Sequence, residues 1–244
     1  MSRSFPWIGM LAQCWLLLAS LVAWADLPTP PDFTPYRAEI AGWESDISKL
    51  EAIREPTPHR DSILVVGSSS IRLWESVDAD LAPYRVIRRG YGGAKYSDLA
   101  YYLPRLIEPH AYRAAVVFVG NDITGGAGDK SPAELGEWFG YVADRLHHHE
   151  PEAQVLCVDV RPTPLRFQAW SDIAAGNAAL KHACEKRDRT HYVDTSNHFL
   201  TEDGQSVKLS LYREDNLHLS AEGYAVWSEQ IVRALDRVLS ASEP

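Results

Sequence analysis

Cysteine and basic residues are both scarce in this chain of 244 residues, which has three cysteines and 24 lysines and arginines against 33 aspartates and glutamates. Cys14 falls in the apolar N-terminal run, and a domain of this size needs no disulfide to fold. We interpret Cys157 and Cys184 as small buried residues, although a disulfide between them stays open. The formal net charge of -9 disfavours nucleic acid and anionic membrane surfaces as partners.

Long hydrophobic runs are lacking too, with one exception at the start. Arg3 precedes an apolar stretch over residues 8–24, which is followed by Ala25, and this layout is typical of a cleaved signal peptide. A membrane anchor is the alternative, but the stretch is short for a spanning helix and Gln13 interrupts it. We therefore predict a signal peptide over residues 1–25, a secreted or periplasmic location, and no stable membrane span after cleavage.

Prolines cluster in residues 26–35, which we predict to be an extended leader outside the core. Residues 36–244 suit one domain. Apolar residues at spacings of three and four predict an amphipathic helix over 36–55. Beyond it, short apolar runs alternate with helical patterns. The predicted strands are 63–66, 85–87, 114–119, 154–160 and 191–193, and the predicted helices are 97–107, 131–149, 170–187 and 221–239.

This alternation predicts an α/β fold, a three-layer α/β/α sandwich with a five-stranded parallel sheet. Ligands of such sheets bind beyond the carboxyl ends of the strands. The segments that directly follow the predicted strands are therefore the candidates for chemistry.

Ser69 lies in the run Gly67-Ser68-Ser69-Ser70, directly after the first predicted strand. A strand-to-helix turn there would bring a serine to the rim of the sheet at a helix amino end, where developing negative charge is stabilised. An ordinary helix-capping serine is the alternative. The run lacks the second glycine of the G-x-S-x-G nucleophile elbow, which argues against a standard α/β-hydrolase.

The second and third strands are followed by a glycine-rich turn and by an asparagine. Gly90, Gly92 and Gly93 lack the spacing of a dinucleotide fingerprint, so they form either a plain turn or a close backbone approach to a ligand. Asn121 could donate hydrogen bonds to an oxyanion or begin an Asx turn.

Asp215 and His218 stand three residues apart before the final predicted helix. Within one turn, the carboxylate could hold the imidazole ring, and a serine would complete a set of nucleophile, base and orienting acid. Metal binding is a poor alternative, because one Asp and one His supply only two ligands.

These four segments, in this order, resemble the conserved blocks of the SGNH subgroup of GDSL hydrolases, over about residues 36–240. The resemblance implies the flavodoxin-like SGNH hydrolase fold and a GDSL-type esterase or lipase that needs no cofactor and no metal. It also implies that the substrate is a small-molecule, glycan or lipid ester, with a short acyl chain as one option.

Site residues follow from the same resemblance. It implies Ser69 as the nucleophile and Asp215 with His218 as the acid/base pair. The oxyanion donors would be the backbone amides of Ser69 and Gly93 and the side chain of Asn121.

Two positions depart from the family's pattern. The second block begins with Arg88 where Asn is usual, and Val119 stands where the third block usually has Gly. After the fourth strand, Arg161 and Arg166 lie in a segment similar to one that borders the site in relatives. We leave substrate contact and loop structure open for both arginines.

A secreted carbohydrate-binding protein without catalysis, on the same fold, is the alternative function. The two departing blocks favour it, as do Trp74, Phe167, Trp170 and Tyr212, which could stack on sugar rings. Core packing is the interpretation we prefer for these four aromatic residues.

Overall fold

The computed structural model describes residues 28–53 and 59–241. The predicted signal peptide lies outside the described residues. The helices are α1 (Arg37–Gly42), α2 (Glu44–Ala52), α3 (Ser69–Arg72), α4 (Val77–Asp80), α5 (Tyr96–Ile107), α6 (Pro132–His149), α7 (Trp170–Glu185) and α8 (Ala221–Ser240). The strands are β1 (Ser62–Gly67), β2 (Arg85–Gly90), β3 (Ala114–Phe118), β4 (Gln154–Val158) and β5 (Thr190–Val193).

The five strands form one parallel sheet in the order β2-β1-β3-β4-β5. This is the flavodoxin-like order, in which the chain reverses direction across the sheet between β1 and β3. The predicted fold class is confirmed. A crevice opens at the carboxyl ends of β1 and β3, because the connections that follow these two strands leave toward opposite sides of the sheet.

The core has two halves because successive side chains of a strand point to opposite faces of the sheet. Leu64 and Val66 of β1 pack toward α1, α2, α5, α6 and α7, whereas Ile63 and Val65 pack toward α3, α4 and α8. Every residue of β1, β3 and β4 is buried. Burial on both faces explains why these strands appear in the sequence as continuous apolar runs.

Most predicted elements match within two residues, but the helix predicted over 36–55 is interrupted. It consists of α1 and α2, which meet at Trp43, where the backbone has φ -93° and ψ -5°. The Trp43 indole lies against Gly92, where an added Cβ would come within 2.3 Å of the ring. Periodicity could not predict this break, because Trp43 packs against a turn that lies far away in the sequence, at Gly92.

The leader also differs from the prediction. Residues 34–36 form a 3-10 helix, and the Phe33 ring lies 5.4 Å from the ring of Trp138 on α6. Part of the leader therefore packs against the domain instead of extending away from it.

Both cysteines of the domain are buried free thiols, as interpreted from the sequence. Across residues 28–53 and 59–241, no helix combines the length and apolarity needed to cross a bilayer.

Candidate active site

Two glycines shape the turn that carries the serines. Gly67 ends β1 with φ +143°, and a Cβ there would lie 1.9 Å from the carbonyl oxygen of Phe118. Gly90 ends β2, and a Cβ there would lie 2.5 Å from the backbone nitrogen of Arg72. Gly67 therefore lets the end of β1 lie close to β3, and Gly90 lets the end of β2 lie close to α3. Ser69 is the first residue of α3, so its N–H has no acceptor within the helix.

The three consecutive serines have different surroundings. Ser68 is buried and precedes α3, but its side chain makes no capping hydrogen bond. Ser70 is also buried, and its Oγ accepts a hydrogen bond from Arg161 Nη2 at 2.9 Å. Ser69 is half-buried, and its Oγ lies 2.9 Å from His218 Nε2. The helix-capping alternative is therefore wrong, and Ser69 is the serine that contacts the histidine.

Asp215 holds His218 in one orientation. Asp215 Oδ2 lies 2.7 Å from His218 Nδ1, and Oδ1 accepts the backbone N–H groups of Leu217 and His218, each at 2.9 Å. Asn216, with φ +58°, turns the backbone so that these contacts close within four residues.

The carboxyl group of Asp215 is ionised well below neutral pH. Partial burial acts to raise its pKa, but the hydrogen bonds from the His218 ring and from the two backbone N–H groups outweigh it and lower the pKa to about 2. A carboxylate only accepts hydrogen bonds, so His218 Nδ1 carries a proton and Nε2 of the neutral ring is the acceptor that faces Ser69.

Asn121 follows β3 and lines the same cavity as Ser69 and His218. Its Nδ2 donates to the carbonyl oxygen of Ala94 at 3.1 Å, and its Oδ1 accepts from Arg166 Nη2 at 3.0 Å. These bonds reach other segments, which is not the pattern of an Asx turn. One N–H of the amide group is left for a ligand, since the amino group has two hydrogens.

Gly93 has a different position from the one expected of an oxyanion donor. It is exposed, lies beside the Trp43 ring, and does not line the cavity that contains Ser69, Asn121 and His218. Its turn is linked to the site through the bond from Asn121 to the next residue, Ala94, and through the Tyr91 N–H, which donates to the carbonyl oxygen of Gly67 at 3.1 Å.

A buried carboxyl group fixes the turn that contains Gly93. Asp98 accepts hydrogen bonds from the Tyr91 hydroxyl at 2.6 Å and from the Lys95 backbone N–H at 3.1 Å. Burial raises the pKa of Asp98 to about 7, although both hydrogen bonds act to lower it. Tyr91 and Lys95 flank the glycines, so one carboxyl group fastens both ends of the turn.

The two residues that depart from the family's pattern have structural partners. Arg88 Nη1 donates to the carbonyl oxygen of Trp74 at 2.7 Å. Val119 is buried in the core between the sheet and its helices. Neither residue is among those that line the cavity.

Arg161 lies beneath the serine turn, where it is only 2% exposed. Its guanidinium carbon is 5.0 Å from the ring centre of Phe118, 5.7 Å from that of Phe199 and 5.1 Å from that of Trp227. Burial lowers its pKa. The group contributes to the cavity wall but is enclosed by aromatic rings and bonded to Ser70, which favours a structural role over substrate contact.

Arg166 lies in a 3-10 helix, Pro164–Ala169, and is half-buried in the cavity wall. Its guanidinium bonds to Gly120 and Asn121, a pairing that the sequence did not predict. The only sequence signal was the position of Arg166 shortly after β4, at the edge of the sheet where sites form.

The loop after β3 contains a buried ion pair that the sequence analysis also missed. Asp122 lies 2.8 Å from Lys130 Nζ, with side-chain exposures of 2% and 3%, and it accepts the backbone N–H of Tyr96 at 3.0 Å. Burial raises the pKa of Asp122 against the attraction of Lys130. The pair fastens the loop next to Asn121 onto the start of α5.

No group of three or more His, Cys, Asp or Glu side chains suited to a metal occurs in the part of the chain that the structure describes. Two residues of the run His147-His148-His149, at the end of α6, contact neighbouring segments. His147 Nε2 contacts Thr190 Oγ1 at 2.9 Å, and His149 Nε2 contacts the carbonyl oxygen of His110 at 2.7 Å.

Comparison with known proteins identifies the family of this chain. The model of the GDSL-like Lipase/Acylhydrolase family matches residues 61–226, which is more than half of the chain. The chain belongs to this family. It is therefore a hydrolase of the acylhydrolase class, and Ser69, Gly93, Asn121, Asp215 and His218 all fall within the matched range.

Solved structures share the fold of this GDSL-like acylhydrolase at low identity. A candidate platelet activating factor from Streptococcus pneumonia has a TM-score of 0.70 at 16% identity, over 82% of this chain and 96% of that one. A GDSL-like lipase from Bacteroides thetaiotaomicron has a TM-score of 0.62 at 14% identity, over 81% and 98%. A family 3 carbohydrate esterase from Talaromyces cellulolyticus has a TM-score of 0.56 at 14% identity, over 75% and 100%. No curated protein matches the chain in sequence.

The acylhydrolase match begins at residue 61, so α1 and α2 precede it. These helices are nevertheless joined to the domain. Tyr102 of α5 donates its hydroxyl to the carbonyl oxygen of Ile40 at 2.9 Å, and Glu39 forms a 2.8 Å ion pair with Lys95. The N-terminal helices therefore support the turn that contains Gly93.

Proposed function

We propose that this chain is a secreted or periplasmic serine esterase that hydrolyses carboxylic esters through an acyl-enzyme formed on Ser69. The observation that carries the proposal is the continuous contact from Ser69 Oγ through both ring nitrogens of His218 to Asp215, with distances of 2.9 and 2.7 Å. A nucleophile, a base and a group that orients the base are the set that acyl transfer requires.

In the first half of the reaction, Ser69 Oγ attacks the ester carbonyl carbon while His218 Nε2 takes the hydroxyl proton. Collapse of the tetrahedral intermediate expels the alcohol, which receives that proton from His218. In the second half, His218 deprotonates a water molecule, which attacks the acyl-enzyme and releases the carboxylic acid and free Ser69. Asp215 keeps the proton on Nδ1 and stabilises the imidazolium ion.

The backbone N–H of Ser69 and the side chain of Asn121 are the main oxyanion donors in this proposal. Ser69 begins α3 with a free N–H, and the Asn121 amide group retains one N–H beside the cavity. Gly93 is a third donor by resemblance only, and its exposure outside the cavity makes it the weakest of the three.

A short acyl chain suits the small cavity next to Ser69. Its volume is about 30 Å³, and by the same measure one water molecule needs roughly 10–15 Å³. The space beside Ser69 therefore has room for about two or three water-sized volumes, which suits a small acyl group better than a long chain. We therefore propose short-chain esters as substrates, with acetylated carbohydrate as one source, as the name of the structural neighbour from Talaromyces cellulolyticus suggests.

The adjacent serines provide matched controls for the test of this function. Ser69→Ala should abolish hydrolysis of nitrophenyl acetate and labelling by a fluorophosphonate, whereas Ser68→Ala should keep both. Ser70→Ala should keep labelling at Ser69, although it removes the hydrogen-bond partner of the buried Arg161 and should lower stability. Retained turnover and labelling in Ser69→Ala would overturn the proposal. A wild-type protein that is neither active nor labelled, yet binds a glycan saturably, would instead support the carbohydrate-binding alternative.

A further inference from the structure

Arg166 lies beside the candidate oxyanion hole and makes two hydrogen bonds there. Nη1 donates to the carbonyl oxygen of Gly120 at 2.6 Å, and Nη2 donates to Asn121 Oδ1 at 3.0 Å. Among the described residues, no carboxylate forms an ion pair with Arg166. Its guanidinium is therefore held by the two hydrogen bonds to Gly120 and Asn121. A guanidinium is planar and rigid, so two such bonds define the position of both acceptors.

These contacts allow only one orientation of the Asn121 amide group. Oδ1 faces the guanidinium, while Nδ2 faces the carbonyl oxygen of Ala94 at 3.1 Å. A half-turn of the amide would direct its N–H groups at the donors of Arg166 and its oxygen at the oxygen of Ala94. Both contacts would then be repulsive, so the observed orientation is fixed from both sides.

The position of Arg166 is in turn coupled to the catalytic loop. The backbone N–H of Arg166 is directed at Thr163, with distances of 3.1 Å to the carbonyl oxygen and 3.3 Å to Oγ1. The preceding residue, Leu165, donates its N–H to the carbonyl oxygen of Asn216 at 2.9 Å. One short 3-10 helix therefore connects the loop of Asp215 with the loop of Asn121.

We propose that Arg166 is a positioning residue that holds the Asn121 amide with an N–H directed at the oxyanion. This inference rests on the proposed function, because it assigns no chemistry to Arg166 itself. A fixed donor stabilises the transition state more than a freely rotating one, since no reorganisation is needed when charge develops. Sequence reasoning left Arg166 open between substrate contact and loop structure, and the structure indicates a third role.

The test is a double-mutant cycle on nitrophenyl acetate hydrolysis. Arg166→Met should lower kcat by roughly 10- to 100-fold, with KM nearly unchanged, because a transition-state interaction is lost. In the Asn121→Ala background, the same substitution should cost less than about threefold, because the residue through which it acts is absent. Arg166→Lys retains the charge but has only one donor group, so its kcat should lie between those of wild type and Arg166→Met.

Arg105→Met is the matched control, since Arg105 pairs with Glu44 and Glu51 on the surface and its loss should leave kcat unchanged. If Arg166→Met does not fold, Arg166→Lys in both backgrounds gives the same cycle. Equal losses with and without Asn121, or a raised KM at constant kcat, would overturn the inference. Failure of the proposed function is a separate result, because wild-type protein would then show no labelling of Ser69 by a fluorophosphonate.

Discussion

Asp215 and Asp98 each fix one half of the candidate site, but in opposite environments. The Asp215 side chain is 47% exposed, and the hydrogen bonds that it accepts outweigh partial burial, so its pKa is about 2. Asp98 is fully buried, and burial raises its pKa to about 7. The Asp215–His218 pair is thus assembled within one solvent-accessible turn, whereas the half with Gly93 and Asn121 depends on polar groups inside the protein.

This contrast has an energetic consequence. The lowered pKa of Asp215 means that its ionised form stabilises the fold, but solvent screens a half-exposed charge, so changes there should alter the chemistry more than the stability. A buried polar group that loses its partner is costly, so changes on the oxyanion side should affect both stability and rate. The following predictions test that division, from the largest expected effect to the smallest.

Asp215→Asn should lower kcat by about 10³- to 10⁴-fold, because the amide no longer holds the proton on His218 Nδ1. The free energy of unfolding at pH 7, measured with urea, should fall by less than about 1 kcal/mol, because solvent screens the half-exposed charge. Glu214→Gln, at the exposed neighbouring position, is the control and should change neither quantity. A large loss of stability in Asp215→Asn would break the proposed division between the two halves.

Lys130→Met should lower the free energy of unfolding by about 3–5 kcal/mol, because the buried carboxylate of Asp122 loses its counter-charge. Lys181→Met, at an exposed position, should change it by less than about 0.5 kcal/mol. Chemical denaturation measures both values. If the two variants are equally stable, the buried ion pair does not support the loop of Asn121.

Asn121→Ala should lower kcat by about 10²- to 10³-fold with a nearly constant KM, as expected when one oxyanion donor is removed. Steady-state kinetics on nitrophenyl acetate measures the effect, and the exposed Asn197→Ala is the control. An unchanged kcat would exclude Asn121 from the mechanism and leave the backbone of Ser69 as the principal donor.

Asp98→Asn should alter the pH dependence of stability. The pKa of Asp98 rises from an ordinary 3.8 to about 7 on folding, so between these values the native state binds more protons than the unfolded state. Protonated Asp98 therefore stabilises the folded state. This stabilisation is fully present below about pH 4 and is lost as the pH rises through about 7.

The Asn variant cannot ionise, so its stability relative to wild type should improve between pH 4 and pH 8 by roughly 3–4 kcal/mol. Urea unfolding at both pH values measures this difference, and effects of other titrating groups cancel in the comparison. A pH-independent difference would contradict the raised pKa of Asp98.

Much of the fold was predictable because its signals are local. The buried strands β1, β3 and β4 appear as continuous apolar runs, and the predicted helices match closely in their positions. The interruption at Trp43 was not predictable, because the indole packs on Gly92, 49 positions along the chain. Helical periodicity carries no information about such a partner.

The candidate triad was predictable in part for the same reason. Asp215 and His218 are close in sequence, and only their contact with Ser69, across 149 positions, needed the fold. The bonds of Asn121 to Ala94 and Arg166 span 27 and 45 positions, and no spacing pattern connects those residues. Gly93 was assigned by resemblance, and the structure instead has it exposed beside Trp43.

The sequence by itself determined the order of strands and helices, the tight backbone turn that Gly67 allows at the end of β1, and the turn in which Asp215 meets His218. Each depends on apolar patterning, on steric freedom or on contacts within one turn, all of which act over a few residues. Tertiary structure decided which of three serines meets His218, how Asp98 and Asp122 are buried, and where Arg166 holds Asn121. Those outcomes depend on burial and on hydrogen bonds between distant segments, which exist only once the sheet and its helices have packed.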